Sequence, residues 1–430
     1  MPVQTLVQTY MARASKIIVP GDKSITHRGL LLAALSRGQS RIDGALASLD
    51  TRSTARVLRA VGVEITPLRA GTVRVTGRTR FRSPGRALNC GNSGTTARLG
   101  LGLLAAHPIR AVLTGDRSLR RRPMRRVTEP LERMGAHFEP ALADRLPISV
   151  RGGRLESIRW ELPVSSAQLK SALLLAGLAG DVAVAVREPA GRSRDHTERM
   201  LRALGYPIAE RDGWIELAAG GPVPPFELRV PGDPSSAAFL VGAALIGAAG
   251  AITVDRVGMN PTRTGFLDVA RRMGGRIAVD VTGEELGEPV GMIGAEPGPL
   301  RRTVVGPAEI PGLIDEIPML AVLAARADGE SRFEEVGELR VKESDRLGLL
   351  AANLRALGYE ADAFANTLRV RGRDHPPRGR VRTDGDHRLA MAFSVLGAVP
   401  GARVSVDDRD CVAVSFPGFF DLLRQVRARR

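Results

Sequence analysis

Lys23-Ser24-Ile25-Thr26-His27-Arg28 places a lysine, a hydroxyl and an arginine in one short segment. On a helix beginning near Ser24, Ser24 and Arg28 stand four apart and share a face, with Lys23 at the N-terminus. An ammonium, a hydroxyl and a guanidinium together suit a phosphate or a carboxylate. The plain alternative is a serine N-cap between two solvated cations. The segment is not a P-loop, because Gly-x-x-x-x-Gly-Lys-Ser/Thr is absent. Further along, Asn92-Ser93-Gly94-Thr95-Thr96 opens another helix, and Gly94 lets a ligand approach the backbone. Asp116 to Arg126 is the densest basic run. Such a run is ordinarily a solvated face, but Pro123 suits the first turn of a helix and sets Arg122 at its mouth. Ser165-Ser166-Ala167-Gln168 offers two hydroxyls and an amide, either as caps or as partners for a phosphorylated polyol. Asp315-Glu316 opens an otherwise apolar stretch, as a cap or as a general base. Lys342-Glu343-Ser344-Asp345-Arg346 puts Lys342 and Arg346 four apart, expected on one helical face with Glu343 beside them. Asp386-His387-Arg388 sets Arg388 at the start of a further helix.

These segments are positioned by one design that recurs about six times. Polar openings at Val19 to Ser24, Asn89 to Thr96, Pro163 to Gln168, Val230 to Ser236, Pro311 to Glu316 and Thr383 to Arg388 each lead into an apolar run. A second helix often follows, and Gly62, Gly135, Gly205, Gly274 and Gly358 mark its end. A period of roughly 70 residues signals a repeated supersecondary unit. Helix N-termini carry free N–H groups and partial positive charge, so several aimed at one place attract anions. In the first copy, Ser24 to Ser36 is expected as a helix and Gln39 to Ile42 as a strand. Ser53 to Val61 is expected as the second helix, capped by Thr51 or Ser53. Six α/β copies divide into two sets of three. The similar turns Pro20-Gly21-Asp22 and Pro231-Gly232-Asp233 place one lobe at 20–230 and the other at 1–19 plus 231–430. Two crossings would let the lobes open and close around a ligand in the cleft between them.

The composition narrows the choice. The chain has 430 residues, 43 % of them hydrophobic and only 4 % aromatic, so its cores must be built from Leu, Ala, Val and Ile. The net charge of +16 reads as basicity spread over the surface or as a basic cleft for a small anion. A nucleic-acid-binding protein, drawing on that charge and on Arg424 to Arg430, is the reading from a different class, and it would require salt-sensitive retention on DNA or RNA. Dispersed charge and few aromatics weigh against it. Cys90 and Cys411 make no disulfide framework, which points to reduced thiols in the cytoplasm. Met1 to Lys16 reads as a loose leader without secretory character. The uncharged stretch Ala237 to Val254 is expected to be a buried helix and strand broken at Gly247 and Gly250, not a membrane span.

Pro20-Gly21-Asp22-Lys23-Ser24 with Arg28, Gly91 to Thr95, Arg122-Pro123, Ser166-Ala167-Gln168, Arg340 to Arg346 and Asp386-His387-Arg388 occur in an order that resembles the 5-enolpyruvylshikimate-3-phosphate synthase family. The likeness runs from about Lys16 to Leu423. It implies an α/β (α+β) fold of two similar lobes, each of three βαβαββ units arranged as an inside-out α/β barrel. It also implies transfer of the enolpyruvyl group of phosphoenolpyruvate to the 5-hydroxyl of shikimate 3-phosphate, with loss of phosphate, on the route to chorismate and the aromatic amino acids. By motif position, Ser24, Arg28, Ser165, Ser166, Gln168 and Lys342 would hold shikimate 3-phosphate. Lys23, Gly94, Arg122, Gln168, Arg346 and Arg388 would hold phosphoenolpyruvate. Asp315 matches the carboxylate near the reacting hydroxyl, and Glu343 and Lys23 match the proton-transfer pair. The scheme needs no metal or organic cofactor and no nucleic-acid or membrane partner, and a monomer is expected.

Two positions depart from the family pattern. Val414 stands where many members have a lysine, and Ala167 separates Ser166 from Gln168 as in a subgroup that includes glyphosate-tolerant enzymes. The sister enolpyruvyl transferase acting on UDP-N-acetylglucosamine would show Lys-Asn at the first loop and usually a cysteine in the arginine-rich loop. This chain has Lys23-Ser24 and no cysteine between Asp116 and Arg126.

Overall fold

The computed structural model describes residues 15–69, 71–142, 144–189 and 191–428. The expected leader lies mostly outside them, at 1–14. Its last residues prove to be ordered, because Ser15–Ile18 is a strand paired in parallel with Ile252 to Asp255.

The chain forms two compact units. The first is Gly21–Val230 with Glu285–Glu288, and the second contains Pro231–Glu284 and Pro289–Arg430 together with the residues up to Pro20. The first unit carries α1 (Lys23–Leu35), α2 (Leu49–Ala60), α3 (Gly94–Ala105), α4 (Arg125–Arg133), α5 (Ala167–Gly180) and α6 (His196–Ala203). The second carries α7 (Pro234–Leu245), α8 (Gly265–Arg272), α9 (Ile317–Ala325), α10 (Arg346–Ala356), α11 (His387–Leu396) and α12 (Phe419–Ala428).

Odd-numbered helices are largely buried and apolar, with most of their charged residues gathered near their starts. In α1 every residue from Ile25 to Leu35 is inside, and in α9 every residue from Ile317 to Ala325 is. A helix with no polar face can only be a core element. The even-numbered helices are mostly amphipathic. α4, for example, buries only Val127, Pro130 and Leu131. Gly62 and Gly135, which close α2 and α4, take φ of 101° and 105°, the left-handed cap that glycine adopts without a Cβ penalty.

Five four-stranded sheets and one two-stranded sheet accompany these helix pairs among the described residues. The second copy shows the common plan. Leu88–Asn89 runs parallel to Arg110–Thr114 after α3, and the antiparallel strands Arg145–Arg151 and His137–Leu142 complete the sheet. Glu227–Arg229, which trails the third copy, pairs in parallel with Arg41 to Asp43 and so completes the sheet of the first copy. The sixth copy is reduced: Arg378–Val381 pairs with Arg403–Val406, and the chain then enters a 3-10 turn at Asp410–Val414 and α12 instead of a hairpin.

Three local expectations are corrected. α2 starts at Leu49, capped by Ser48 in a capping box with Thr51, because Thr51 turns its hydroxyl back to the Ser48 N–H. α4 begins at Arg125, so Pro123 lies before the helix and not in its first turn. Lys342 and Arg346 share no helix: Lys342 follows a 3-10 turn at Gly337–Val341, and Arg346 opens α10 behind its own cap, Asp345. The uncharged stretch divides as expected into α7 and the strand Ile252–Gly258, and no described helix is long and apolar enough to cross a membrane.

One close approach sets the geometry of the first unit. A Cβ on Gly102 of α3 would come within 2.1 Å of the Ala172 carbonyl oxygen of α5. Glycine therefore permits these two helices to cross nearly backbone to backbone, which brings their N-terminal residues within side-chain reach of each other.

Candidate active site

In the first unit three helix starts carry the expected ligands. Asp22 caps α1 through the Ile25 N–H at 2.8 Å. Beside it, Lys23 Nζ lies 2.9 Å from Asp50 Oδ2. Arg28 is almost fully buried and is held on three sides: Nε donates to Thr197 Oγ1 at 2.8 Å, Nη2 to Ser171 Oγ at 2.7 Å and Nη1 to the Ser24 carbonyl at 3.1 Å. Burial pushes its pKa down to about 10, with Glu198 opposing and Arg194 reinforcing the shift, so it remains a cation near neutrality.

At the start of α3, Gly94 leaves space into which three polar side chains converge. A Cβ there would lie 2.9 Å from Arg98 Nη1, 3.2 Å from Arg122 Nη1 and 3.8 Å from Gln168 Oε1. Arg98 Nη1 donates to Gln168 Oε1 at 2.6 Å, and Gln168 Nε2 donates to Thr95 Oγ1 at 3.0 Å. Arg122 is buried and reaches Asn92 Oδ1 at 3.3 Å. Ser166 occupies the N-cap of α5 but makes no side-chain cap hydrogen bond, while Ser165 donates to the Gly191 carbonyl at 3.2 Å. The capping alternative therefore fails for Ser166.

The second unit gathers Asp315, Glu343, Arg346 and Arg388. Arg346 is fully buried, with Nε 2.9 Å from Asp386 Oδ2, Nη2 2.5 Å from Glu343 Oε2 and Nη1 3.6 Å from Asp315 Oδ1. Burial alone would lower its pKa. Asp386, Glu343 and Asp315 outweigh burial and hold it above the usual arginine value. Arg388 Nη1 donates to the Asp315 carbonyl at 2.9 Å, and its Nη2 lies 3.6 Å from Asp315 Oδ2. Both oxygens of Asp315 therefore face a guanidinium. Lys342 is half-buried on the loop between the 3-10 turn and α10.

The helix ends are less open to an anion than their sequence suggests. Asp22, Asp233 and Asp386 already accept from the first N–H groups of α1, α7 and α11. An anionic cap offsets the helix's positive end, so at these starts an anion would have to be drawn by the neighbouring cations. α5 and α9 have no side-chain cap hydrogen bond.

A model of EPSP synthase (3-phosphoshikimate 1-carboxyvinyltransferase) matches residues 8–423. The chain belongs to this family. A 3-phosphoshikimate 1-carboxyvinyltransferase from Thermus thermophilus is 48% identical over 413 residues, covering 95% of this chain and 96% of the relative. One from Desulforudis audaxviator is 47% identical over 412 residues, covering 95% and 96%. Among solved structures, EPSP synthase from Acinetobacter baumannii superposes with a TM-score of 0.84 at 36% identity, covering 96% of this chain and 95% of that one. The enolpyruvyl transferase NikO from Streptomyces tendae, 20% identical with a TM-score of 0.73, covers 96% of this chain and 94% of its own and shares the fold. The EPSP synthase match decides against the UDP-N-acetylglucosamine sister enzyme and takes the place of the nucleic-acid reading.

Several contacts of this EPSP synthase family member are not legible in the sequence. Arg194 Nη1 lies 3.4 Å from Ser24 Oγ. His27 Nδ1 meets Thr54 Oγ1 at 2.7 Å, and Thr54 meets Thr96 at 2.7 Å. Burial, with Lys23 and Arg28 adding to it, keeps His27 well below the usual histidine range and hence neutral. Glu316, buried at the start of α9, accepts from Ser235 Oγ and lies 3.6 Å from Arg388 Nη1. The available signal was polar residues at apolar helix positions, such as Thr54 and Thr96, which need partners when buried. Val414 sits half-buried at the end of the 3-10 turn, where it offers no charge.

Proposed function

We propose that the side chains gathered at these helix starts serve the transfer of the enolpyruvyl group from phosphoenolpyruvate to the 5-hydroxyl of shikimate 3-phosphate with release of phosphate. The enzyme is a 3-phosphoshikimate 1-carboxyvinyltransferase of the shikimate pathway, as its family and relatives are named. The observation that carries the assignment of roles is the pairing of Asp315 with both Arg346 and Arg388.

Each substrate brings a carboxylate and a phosphate, so cations held by the fold before binding lower the cost of gathering these charges. Arg28, Ser24, Ser165, Ser166, Gln168 and Lys342 hold shikimate 3-phosphate. Lys23, Gly94, Arg122, Gln168, Arg346 and Arg388 hold phosphoenolpyruvate. Phosphoenolpyruvate competes with Asp315 for the two arginines. Once they turn to its anionic groups, Asp315 is relieved of two positive neighbours and accepts a proton more readily. It takes the 5-hydroxyl proton as that oxygen attacks C2, while Glu343 or Lys23 delivers a proton to C3. The tetrahedral adduct then loses phosphate, which takes the proton held by Asp315, while C3 returns a proton to Glu343 or Lys23 and the C2–C3 double bond re-forms. We place the enzyme in the cytoplasm as a monomer. Burial pushes both thiols, Cys90 and Cys411, up to about 12, which keeps them protonated and unreactive.

The test is phosphate release from phosphoenolpyruvate with and without shikimate 3-phosphate. Strict dependence on both is expected, and release without shikimate 3-phosphate would refute the reaction. For the role of Asp315, Asp315→Ala should cut kcat far more than it weakens shikimate 3-phosphate binding. Undiminished turnover would remove Asp315 from the chemistry.

A further inference from the structure

Arg98 lies one turn into α3, beside Gly94, and is half-buried. We propose that Arg98 is a positioning residue that fixes the side-chain amide of Gln168 in the orientation that presents its N–H to substrate. The inference rests on the placement of Gln168 among the substrate ligands above.

An arginine has only donors, so the group it meets must accept. Arg98 Nη1 lies 2.6 Å from Gln168 Oε1, which commits the oxygen end of the amide. The nitrogen end is thereby turned the other way, where one N–H goes to Thr95 Oγ1 at 3.0 Å. An amide nitrogen has two hydrogens, and the second is the one offered to a ligand. Rotating the amide by half a turn would set its NH2 against a guanidinium and point an oxygen at an anionic substrate, which is unfavourable at both ends. Without Arg98 the two orientations differ only by the contact with the Thr95 hydroxyl, which donates as readily as it accepts.

Arg98 also links the neighbouring segment, because its Nη2 donates to the Pro123 carbonyl at 3.3 Å, next to Arg122. Gly94 makes the arrangement possible. A Cβ there would stand 2.9 Å from Arg98 Nη1, so any larger residue would push the guanidinium off its place across the helix start.

The experiment is a double-mutant cycle on the full-length enzyme, reading kcat/KM for phosphoenolpyruvate at saturating shikimate 3-phosphate. The variants are Arg98→Met, Gln168→Leu and the pair. Each single variant should lose about tenfold or more, and the double should fall within about threefold of Gln168→Leu alone, because Arg98 has nothing left to orient. If the two losses multiply, Arg98 touches substrate itself or acts elsewhere, and the inference is overturned. Arg98→Lys, which keeps a donor toward Gln168 but not the second arm to Pro123, should recover part of the loss. It also serves as the cycle's partner should Arg98→Met fail to fold. A wild-type enzyme that releases no phosphate would sink the reaction itself, whereas an active wild type with multiplying losses would sink only the role of Arg98.

Discussion

Gly94→Ala separates catalytic geometry from fold stability. The added Cβ would sit 2.9 Å from Arg98 Nη1 and 3.2 Å from Arg122 Nη1, both inside the ordinary contact distance of 3.4 Å. The backbone has no reason to resist, because Gly94 is the first residue of α3 and takes no positive φ. Alanine in place of glycine favours the helix by up to about 1 kcal/mol, and less at a first position. Stability should therefore hold or rise slightly. The strain falls on the tips of two arginines, and Arg98 must retreat by about half an ångström, the shortfall against an ordinary contact.

A retreat of that size strains the 2.6 Å contact from Arg98 to Gln168 and moves Arg122 as well. A hydrogen bond to a charged group contributes about 1.5–3 kcal/mol. Losing roughly half of the larger figure corresponds to about a tenfold change. The expected outcome is a rise of about tenfold in KM for phosphoenolpyruvate, with KM for shikimate 3-phosphate changed by less than about threefold and the melting temperature unchanged or higher. Steady-state phosphate release with each substrate varied, together with calorimetric unfolding, measures all of these. An unchanged KM for phosphoenolpyruvate, or equal losses for both substrates with a lowered melting temperature, would refute the reasoning.

Three further outcomes follow from buried groups. Asp386→Asn keeps an oxygen for the α11 cap but removes the charge facing the fully buried Arg346, so urea unfolding should show a loss of about 3–5 kcal/mol. A loss below about 1 kcal/mol would mean that Glu343 and Asp315 suffice. Gly102→Ala drives a methyl toward the Ala172 carbonyl, which a Cβ would meet at 2.1 Å, and should cost about 1–3 kcal/mol while lowering kcat, because the N-terminal ends of α3 and α5 shift together. His107, stacked on Phe81 with ring centroids 4.0 Å apart, is pushed down to about 4 by burial. The unfolded chain binds that proton near pH 6.5, so the stability is present above 6.5 and is lost as pH falls toward 4, by about 3 kcal/mol in full. Replacing His107 by Gln should flatten the acid limb of denaturant midpoints measured across that window, and an unaltered slope would assign it to other groups such as the buried His27.

The legibility of this chain in its sequence follows the range over which each interaction acts. The buried helices were readable because an all-apolar run bounded by Asp, Ser and Gly has few other folds available, and the closing glycines take the left-handed turn their spacing implied. Local caps were less secure, since Ser48, Thr51 and Ser53 are all competent and only the returned Thr51 hydroxyl chooses between them. The residue types of the candidate site were readable from motif, yet their state was not. Arg28 is fixed by Ser171 and Thr197, which stand 143 and 169 positions away, and no spacing rule reaches that far. The same limit hides the role of Arg98 in the sequence. An arginine one turn into an apolar helix reads as an ordinary polar position until Gln168, 70 residues on, is placed against it. Arg346 shows the converse. Its charge suggested a ligand for an anion, and the fold surrounds it with three carboxylates, leaving Nη1 without a hydrogen bond and directed at Asp315. An arginine so encircled has only that one arm left to offer an anion. In the proposed role its carboxylate neighbours would set how strongly phosphoenolpyruvate binds, as surely as the arginine would.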